Sequence, residues 1–334
     1  MPVALSSDPA LLARAVSAAP WLAGARAQLL AAYQHSRMPH ALLIQDAPGA
    51  AGTQLALWAA QLMLCSAPTA QGPCTQCPGC TGVMGQRHPD FTRVGLLEDS
   101  KQIRIEQARE LSADLALASH QGGYKVALID PADALNWNAA NALLKTLEEP
   151  PPATLLILVA LQPSRLPATV LSRCTRVRIR APTRAEAIAW LRQFAGEGPW
   201  EAVLEVIGNA PLQASDLDPQ GVLEVRDQTL AGLADLGARR ADPAALADHW
   251  NRTELALRLA CFENWLTDRI RRGLGAGTYS VEMRDGAHPP RPDTGSNVPR
   301  LFDLLDQLRA LRAALSTPVN RSLVLESLLR SLVL

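Results

Sequence analysis

Over the first half of the chain, short strand-like runs, several of them almost wholly apolar, alternate with stretches whose apolar residues recur every three or four positions. That alternation predicts strands separated by helices. Ala41–Gln45, Asp90–Gly95, Lys125–Asp130, Thr154–Ala160 and Thr175–Arg180 are the predicted strands. Thr53–Leu64, Ile103–Ser119 and Asn138–Glu149 are the predicted helices, the last stopped by Pro150, Pro151 and Pro152. Strands that alternate with helices imply an α/β domain on a parallel sheet buried on both faces. From Pro182 onward the pattern is helical, with a short unit over 183–212 and then longer apolar stripes. One stripe runs Leu255, Leu259, Phe262, Leu266, Ile270; another Leu301, Leu304, Leu305, Leu308, Leu311; a last Leu325, Leu328, Leu329, Leu332. Gly273–Pro299 is rich in Gly and Pro, lacks periodicity, and predicts a mobile loop.

Composition bounds the function classes. With 334 residues, 48% of them hydrophobic, the chain has room for two or three domains with cores of their own. Thirty-two basic residues balance 32 acidic ones, so no global charge draws it to nucleic acid. The longest uninterrupted apolar stretch, Leu155–Leu161, is far too short to span a bilayer. The N-terminus has no basic leader, and Asp8, Pro9 and Arg14 interrupt any apolar core of a signal. A cytoplasmic protein without membrane contact is expected, and structural disulfides are not.

Four of the six cysteines, Cys65, Cys74, Cys77 and Cys80, fall in the spacing C-x8-C-x2-C-x2-C. Two overlapping C-x2-C turns direct three thiolates at one ion, and Gly72-Pro73 and Pro78-Gly79 permit the tight backbone. Cys65 closes the set from the end of the preceding predicted helix. Four thiolates with no open position describe a structural, tetrahedral Zn2+ site that folds a small insertion at 65–80. A redox C-x-x-C pair is the alternative, but it has no need of four cysteines. Cys261, within an apolar helical stripe, is expected in a core.

Between the first predicted strand and the next helix lies Asp46-Ala-Pro-Gly49-Ala-Ala-Gly52-Thr53, where a phosphate-binding loop belongs. A working loop reads G-x-x-x-x-G-K-[ST]: its amides cradle phosphates, its Lys reaches the β- and γ-phosphates, and its hydroxyl serves magnesium. Here Thr53 keeps the hydroxyl, but Gly52 stands in the lysine slot and Asp46 in the first glycine slot. A carboxylate without an ammonium to offset it opposes a polyphosphate. By itself the loop reads equally as an ordinary Gly/Pro turn. In P-loop ATPases a later strand ends in an Asp that supports magnesium, followed by a Glu that polarises water; here Asp130 is followed by Pro131. The next strand ends Val159-Ala160-Leu161 and supplies no polar residue to sense a γ-phosphate.

Pro39-His40-Ala41-Leu-Leu-Ile44, the four-cysteine insertion, Asn141-Ala-Leu-Leu-Lys-Thr-Leu-Glu-Glu-Pro-Pro151 and Leu171-Ser172-Arg173-Cys174 together resemble the AAA+ clamp-loader family of bacterial DNA polymerase III. The resemblance is strongest over about residues 20–212. It implies a RecA-like AAA+ domain with the zinc insertion over 1–180, a helical lid over 181–212 and a helical collar for oligomerisation over 213–334. It also implies a member that binds no ATP: Asp46, Gly52 and Pro131 depart from the working pattern, and Pro211, in Gly208-Asn-Ala-Pro211, stands where ATP-binding members carry Arg. Arg173, with Ser172 and Cys174 of its motif, is by resemblance an arginine finger offered in trans to an adjacent motor subunit. The implied function is a non-catalytic, stator-like part of a heteropentamer with motor (gamma/tau-type) and delta-type subunits. Such a complex loads the sliding clamp onto primed DNA, and is catalogued with DNA-directed DNA polymerase. The alternatives are an ATP-hydrolysing motor-type subunit, which a loop lysine would mark, and a zinc-dependent nucleic-acid-binding protein.

Overall fold

In chain order the elements are α1 (Pro9–Ala18), α2 (Ala23–Gln34), β1 (Ala41–Gln45), α3 (Gly52–Leu64), α4 (Pro78–Met84), β2 (Phe91–Val94), α5 (Ile105–Ala116), β3 (Lys125–Ile129), α6 (Trp137–Ala142), α7 (Leu144–Glu148), β4 (Thr154–Ala160), α8 (Ala168–Leu171), β5 (Thr175–Arg178), α9 (Arg184–Ala195), α10 (Trp200–Ile207), α11 (Pro211–Ala214), α12 (Pro219–Gly237), α13 (Pro243–Arg252), α14 (Leu255–Gly273), α15 (Val298–Ala314) and α16 (Arg321–Val333). The computed structural model describes residues 9–97, 100–274, 298–314 and 321–333. The chain divides into two units, one of residues up to 200 with 209–216, the other of 201–208 with 217 onward.

The first unit is built on a five-stranded sheet in the order β2-β3-β4-β1-β5. Every pairing is parallel: Ala41 sits beside Leu156, Leu42 beside Thr175, Phe91 beside Val126 and Lys125 beside Thr154. The central strands β3 and β4 are buried along their whole length, as a sheet covered on both faces requires. At one edge, β5 exposes Thr175, Arg176 and Arg178, charged and polar positions that discourage further strand pairing. A core cluster joins Leu43, Ile129 and Leu158 of the sheet to Leu111 and Leu115 of α5 and to Leu143 and Leu147 near α7.

Local chemistry sets the helix starts. The Asn136 side chain accepts the Ala139 amide at 2.8 Å and opens α6. Thr183 and Glu186 form a reciprocal capping box at α9, and Arg180 grips Glu186 through two nitrogens. That pair holds the Glu186 carboxyl down at about 2, with the Arg180 bonds the largest cause. Removing such a cap costs about 1 kcal/mol.

The predicted helix over Asn138–Glu149 is divided at Leu143. Its amide reaches back to the Ala140 carbonyl, a turn tighter than α, so α6 and α7 are separate segments. The predicted Ile103–Ser119 helix is shorter at both ends: Ile103 makes a bridge to Leu135, and Leu117 is extended. Helices α1, α2, α4, α12 and α13 are not marked by the stripes of the sequence; α2, for instance, buries only Ala25 and Leu29. Most of the predicted Gly273–Pro299 loop lies outside the described residues; α14 runs to Gly273 and α15 begins at Val298.

In the second unit the leucine stripes converge. Leu259, Phe262, Leu266 and Ile270 of α14 pack with Leu304, Leu305, Leu308 and Leu311 of α15 and with Leu325, Leu328 and Leu329 of α16 around Trp250. Cys261 is buried beside them, and burial pushes its thiol up to about 11. The buried Arg258 guanidinium donates to the Thr253 carbonyl, the Thr229 hydroxyl and the Gln228 side chain, which ties α12 to α14.

Candidate functional site

The loop after β1 lies at the carboxyl edge of the sheet, the edge where ligands of parallel α/β folds bind. The Asp46 amide bonds to the Ala160 carbonyl at 2.9 Å, so the loop leaves beside the end of β4. Asp46 then turns back on the loop. Its carboxylate accepts the Ala47 amide at 2.8 Å and also the Gly52 amide, the first of α3. The carboxylate thus sits at a helix N-terminus, the place a phosphate would take. A Cβ at Gly52 would lie 2.5 Å from the Asp46 Cγ, so a side chain at position 52, lysine included, requires the Asp46 carboxyl to move. The two departures read separately from the sequence are one steric arrangement. At Gly49, φ is +75°, and a Cβ there would lie 2.1 Å from the Asn209 carbonyl oxygen, so the turn before Pro211 closes over the loop.

The magnesium side is closed as well. The Thr53 hydroxyl donates to Asp130 Oδ2 at 3.0 Å, and the Arg93 guanidinium donates to the same oxygen at 2.9 Å. A cation site next to Thr53 and Asp130 is therefore supplied with a permanent cation from β2. The sequence carries no signal for this: Arg93 reads as one polar position of a short strand, beside Leu128 in register. Pro131, joined to Asp130 by a cis peptide, opens a short turn instead of presenting a carboxylate. At the end of β4, Ala160 is buried and Leu161 is exposed. Burial is the largest cause that raises the Asp46 carboxyl to about 6; the two amide bonds oppose it, and the charges of Asp130 and Asp133 add to it. Pro211 begins α11 and is buried, and Asn209 donates to the Pro182 carbonyl at 2.5 Å.

Arg173 lies at the other edge. It precedes β5, whose first residue Thr175 pairs with Leu42, whereas the loop follows Gln45, which pairs with Arg178. Four strand residues, about 13 Å at the usual rise, separate the two edges. The Arg173 guanidinium bonds to Glu148 at 2.7 Å, to the Thr169 carbonyl at 2.8 Å and to the Ser172 hydroxyl at 3.3 Å. Cys174 is buried, and burial raises its thiol to about 11, so it acts as core.

The four cysteines converge as their spacing predicts. One sulfur of each lies within 4.8 Å of all the others. Cys77 and Cys65 are 3.8 Å apart, close to the edge of a tetrahedron with metal–sulfur bonds of about 2.3 Å. The backbone is already turned toward thiolates: the Cys74 amide donates to Cys65 at 3.2 Å and the Cys80 amide to Cys77 at 3.4 Å. Burial works against the Cys77 thiolate, but the Cys80 and Ser66 amides and the Ser66 hydroxyl outweigh it and hold the thiol at about 5. Burial, the largest cause, raises Cys80 instead. Gln61, wholly buried in α3, donates to the Cys80 carbonyl at 3.3 Å and fixes the last ligand turn. This donor set can hold a metal ion.

A parallel sheet of this order, with a helix entered through a phosphate-type loop and a cysteine insertion behind it, is a RecA-like AAA+ domain. A family model described as "DNA polymerase III, delta subunit" matches residues 23–183. A DNA polymerase III subunit delta-prime of Pseudomonas aeruginosa is 36% identical over 318 residues, 93% of this chain and 95% of the relative. A subunit delta-prime of Yersinia pestis is 31% identical over 321 residues, 93% of this chain and 94% of the relative. A DNA polymerase III subunit tau of Escherichia coli is 32% identical over 145 residues, 43% of this chain and 22% of the relative. The chain belongs to the delta-prime family of DNA polymerase III subunits. Among the described residues no helix is long and apolar enough to cross a membrane.

Proposed function

We propose that this chain is a non-hydrolysing, stator-like subunit of a DNA polymerase III clamp loader, which works in the cytoplasm and offers Arg173 to the ATP site of a neighbouring motor subunit. The observation that carries this reading is the opposition of the two sheet edges. At the carboxyl edge, Asp46 takes the place of a phosphate and Arg93 the place of a metal ion. At the amino edge, Arg173 is one-third exposed, at the opposite end of β5 from its own loop. A guanidinium there serves only a site on another chain. There it stabilises the negative charge that develops on the transferred phosphoryl group, an effect worth about 10^3-fold or more at one site. Residues 1–180 act as the AAA+ domain, 181–212 as the lid and 213–334 as the collar, with gamma/tau-type and delta-type subunits as partners. Through them the chain acts on the sliding clamp and primed DNA. The ion held by Cys65, Cys74, Cys77 and Cys80 is zinc in a closed structural site.

The experiment is Arg173→Ala in the complex reconstituted with its motor and delta-type subunits. Assembly and zinc content are expected to be unchanged. ATP turnover stimulated by clamp and DNA falls, with the loss confined to the motor site that faces this subunit, and Arg173→Lys restores little. An assembled variant with normal turnover and clamp loading overturns the role of Arg173. Micromolar binding of ATP to the isolated chain overturns the closed site.

A further inference from the structure

We infer that Glu148 is the positioning residue for Arg173: it holds the guanidinium in its working orientation before the neighbouring ATP site arrives. This rests on the in-trans reading of Arg173. Glu148 is the last residue of α7, in the Asn141–Pro151 motif that the sequence marks without giving this carboxylate a role of its own. Segment α7 packs against α8 and ends just before β4, at the amino edge of the sheet. There the His40 ring nitrogen lies 3.1 Å from the Leu147 carbonyl and ties the same turn to the start of β1.

The three acceptors around Arg173 come from two elements. Glu148 Oε1 lies 2.7 Å from one terminal nitrogen, while the Thr169 carbonyl and the Ser172 hydroxyl engage the other. Two of these acceptors are local to α8 and move with Arg173 itself. Glu148 is the one brought in from another part of the chain, so it fixes the direction of the guanidinium plane relative to the sheet. A guanidinium has five N–H donors, and this arrangement leaves two of them for an incoming phosphoryl oxygen. With side-chain exposures of 33% and 51%, the pair is reached by solvent and adds little to stability. Its consequence is orientation. Arg carries much rotamer freedom, and ordering it beforehand removes that loss from the step in which the motor site closes.

The test uses the reconstituted complex, with ATP as the probe. Glu148→Gln keeps shape and hydrogen bonding but removes the charge. The proposal expects normal assembly and zinc content, an unchanged KM for ATP, and a kcat about three- to tenfold lower at the facing site. In an Arg173→Ala background, Glu148→Gln is expected to have no further effect, because nothing remains to be positioned. Glu148→Asp, which keeps the charge on a shorter arm, recovers part of the loss. If Arg173→Ala lowers turnover but Glu148→Gln leaves it unchanged or raises it, Glu148 does not position the finger, although the finger itself stands. Equal effects of Glu148→Gln with and without Arg173 also overturn the proposal. If Arg173→Ala has no effect, the in-trans reading fails and this one with it.

Discussion

Helix α3 joins two loops that treat charge in opposite ways. At its N-terminus the loop supplies charges of its own: the Asp46 carboxylate accepts the Ala47 and Gly52 amides, and the Thr53–Asp130 pair is met by Arg93. At its C-terminus, Cys65 opens a loop in which four sulfurs crowd together, two of them 3.8 Å apart, with amides aimed at them and no cationic side chain among the four. The first loop carries its own anion, Asp46, and its own cation, Arg93. The second gathers four sulfur donors that can hold a cation from outside. Both begin as Gly- and Pro-containing turns, so turn composition does not distinguish a site that has closed from one that needs its ligand. The distinction lies in which charges the surrounding strands and helices deliver.

The comparison breaks most visibly at the metal end. Cys77→Ser is expected to lose the bound ion and to lower the stability of the first unit by about 4 kcal/mol or more, as loss of a structural metal does. Elemental analysis should return about one zinc per wild-type chain and much less for the variant, with urea unfolding giving the stability difference. Native wild-type protein that contains no metal and whose four thiols all react at once with a mild reagent would remove the asymmetry.

The metal end is also the part that was most legible. C-x8-C-x2-C-x2-C implied that four thiols meet, and their sulfurs do lie within 4.8 Å of one another, because two-residue spacers leave thiols few directions to point. The order of strands and helices followed from apolar runs, since β3 and β4 are buried on both faces and tolerate nothing else. The closure of the nucleotide loop was legible only as isolated departures. Asp46 and Gly52 are six positions apart, and only the fold shows that the carboxyl carbon fills the space a Cβ at position 52 would need. Arg93 gave no signal, and Glu148 appeared only inside the Asn141–Pro151 motif, with nothing to link it to Arg173. Each is a surface-type residue in a short element, and its partner lies far along the chain. Helix α2 escaped detection because it buries only Ala25 and Leu29, and two buried positions make no stripe.

At the other end of α3, the coupling between Asp46 and Gly52 is measurable. Gly52→Ala adds one carbon where the Asp46 carboxyl already lies 2.5 Å away, so something must shift. The expected cost is about 1–3 kcal/mol, the usual penalty for overpacking. In an Asp46→Gly background the same substitution should cost almost nothing, because the space is empty. A double-mutant cycle by urea unfolding should therefore show a coupling of about 1 kcal/mol or more. A strictly additive cycle would mean that the two positions were lost independently and that the loop is not closed by contact between them.

The smallest expected effect concerns what the closure costs. The folded loop raises the Asp46 carboxyl from its ordinary 3.8 to about 6, with burial the largest cause. The fold therefore prefers the protonated carboxyl. Below about pH 4 Asp46 is neutral in both folded and unfolded chains and carries no penalty. Between about pH 4 and 6 the unfolded chain releases this proton while the folded chain still holds it, so stability falls as pH rises. Above about 6 the penalty is complete, at most about 3 kcal/mol and less to the extent that water reaches the carboxylate. Asp46→Asn retains a carbonyl oxygen for the Ala47 and Gly52 amides and removes the charge. It is expected to stabilise the chain by about 1–2 kcal/mol at pH 7.5 and to be nearly neutral at pH 4, as urea unfolding at the two pH values would measure. Other groups titrate equally in both proteins, so the change in their difference isolates Asp46. A difference that stays constant across this range would show that the carboxylate sits in the loop without strain. The N-terminal loop of α3 would then be closed at no cost, and an internal anion would be the loop's preferred state.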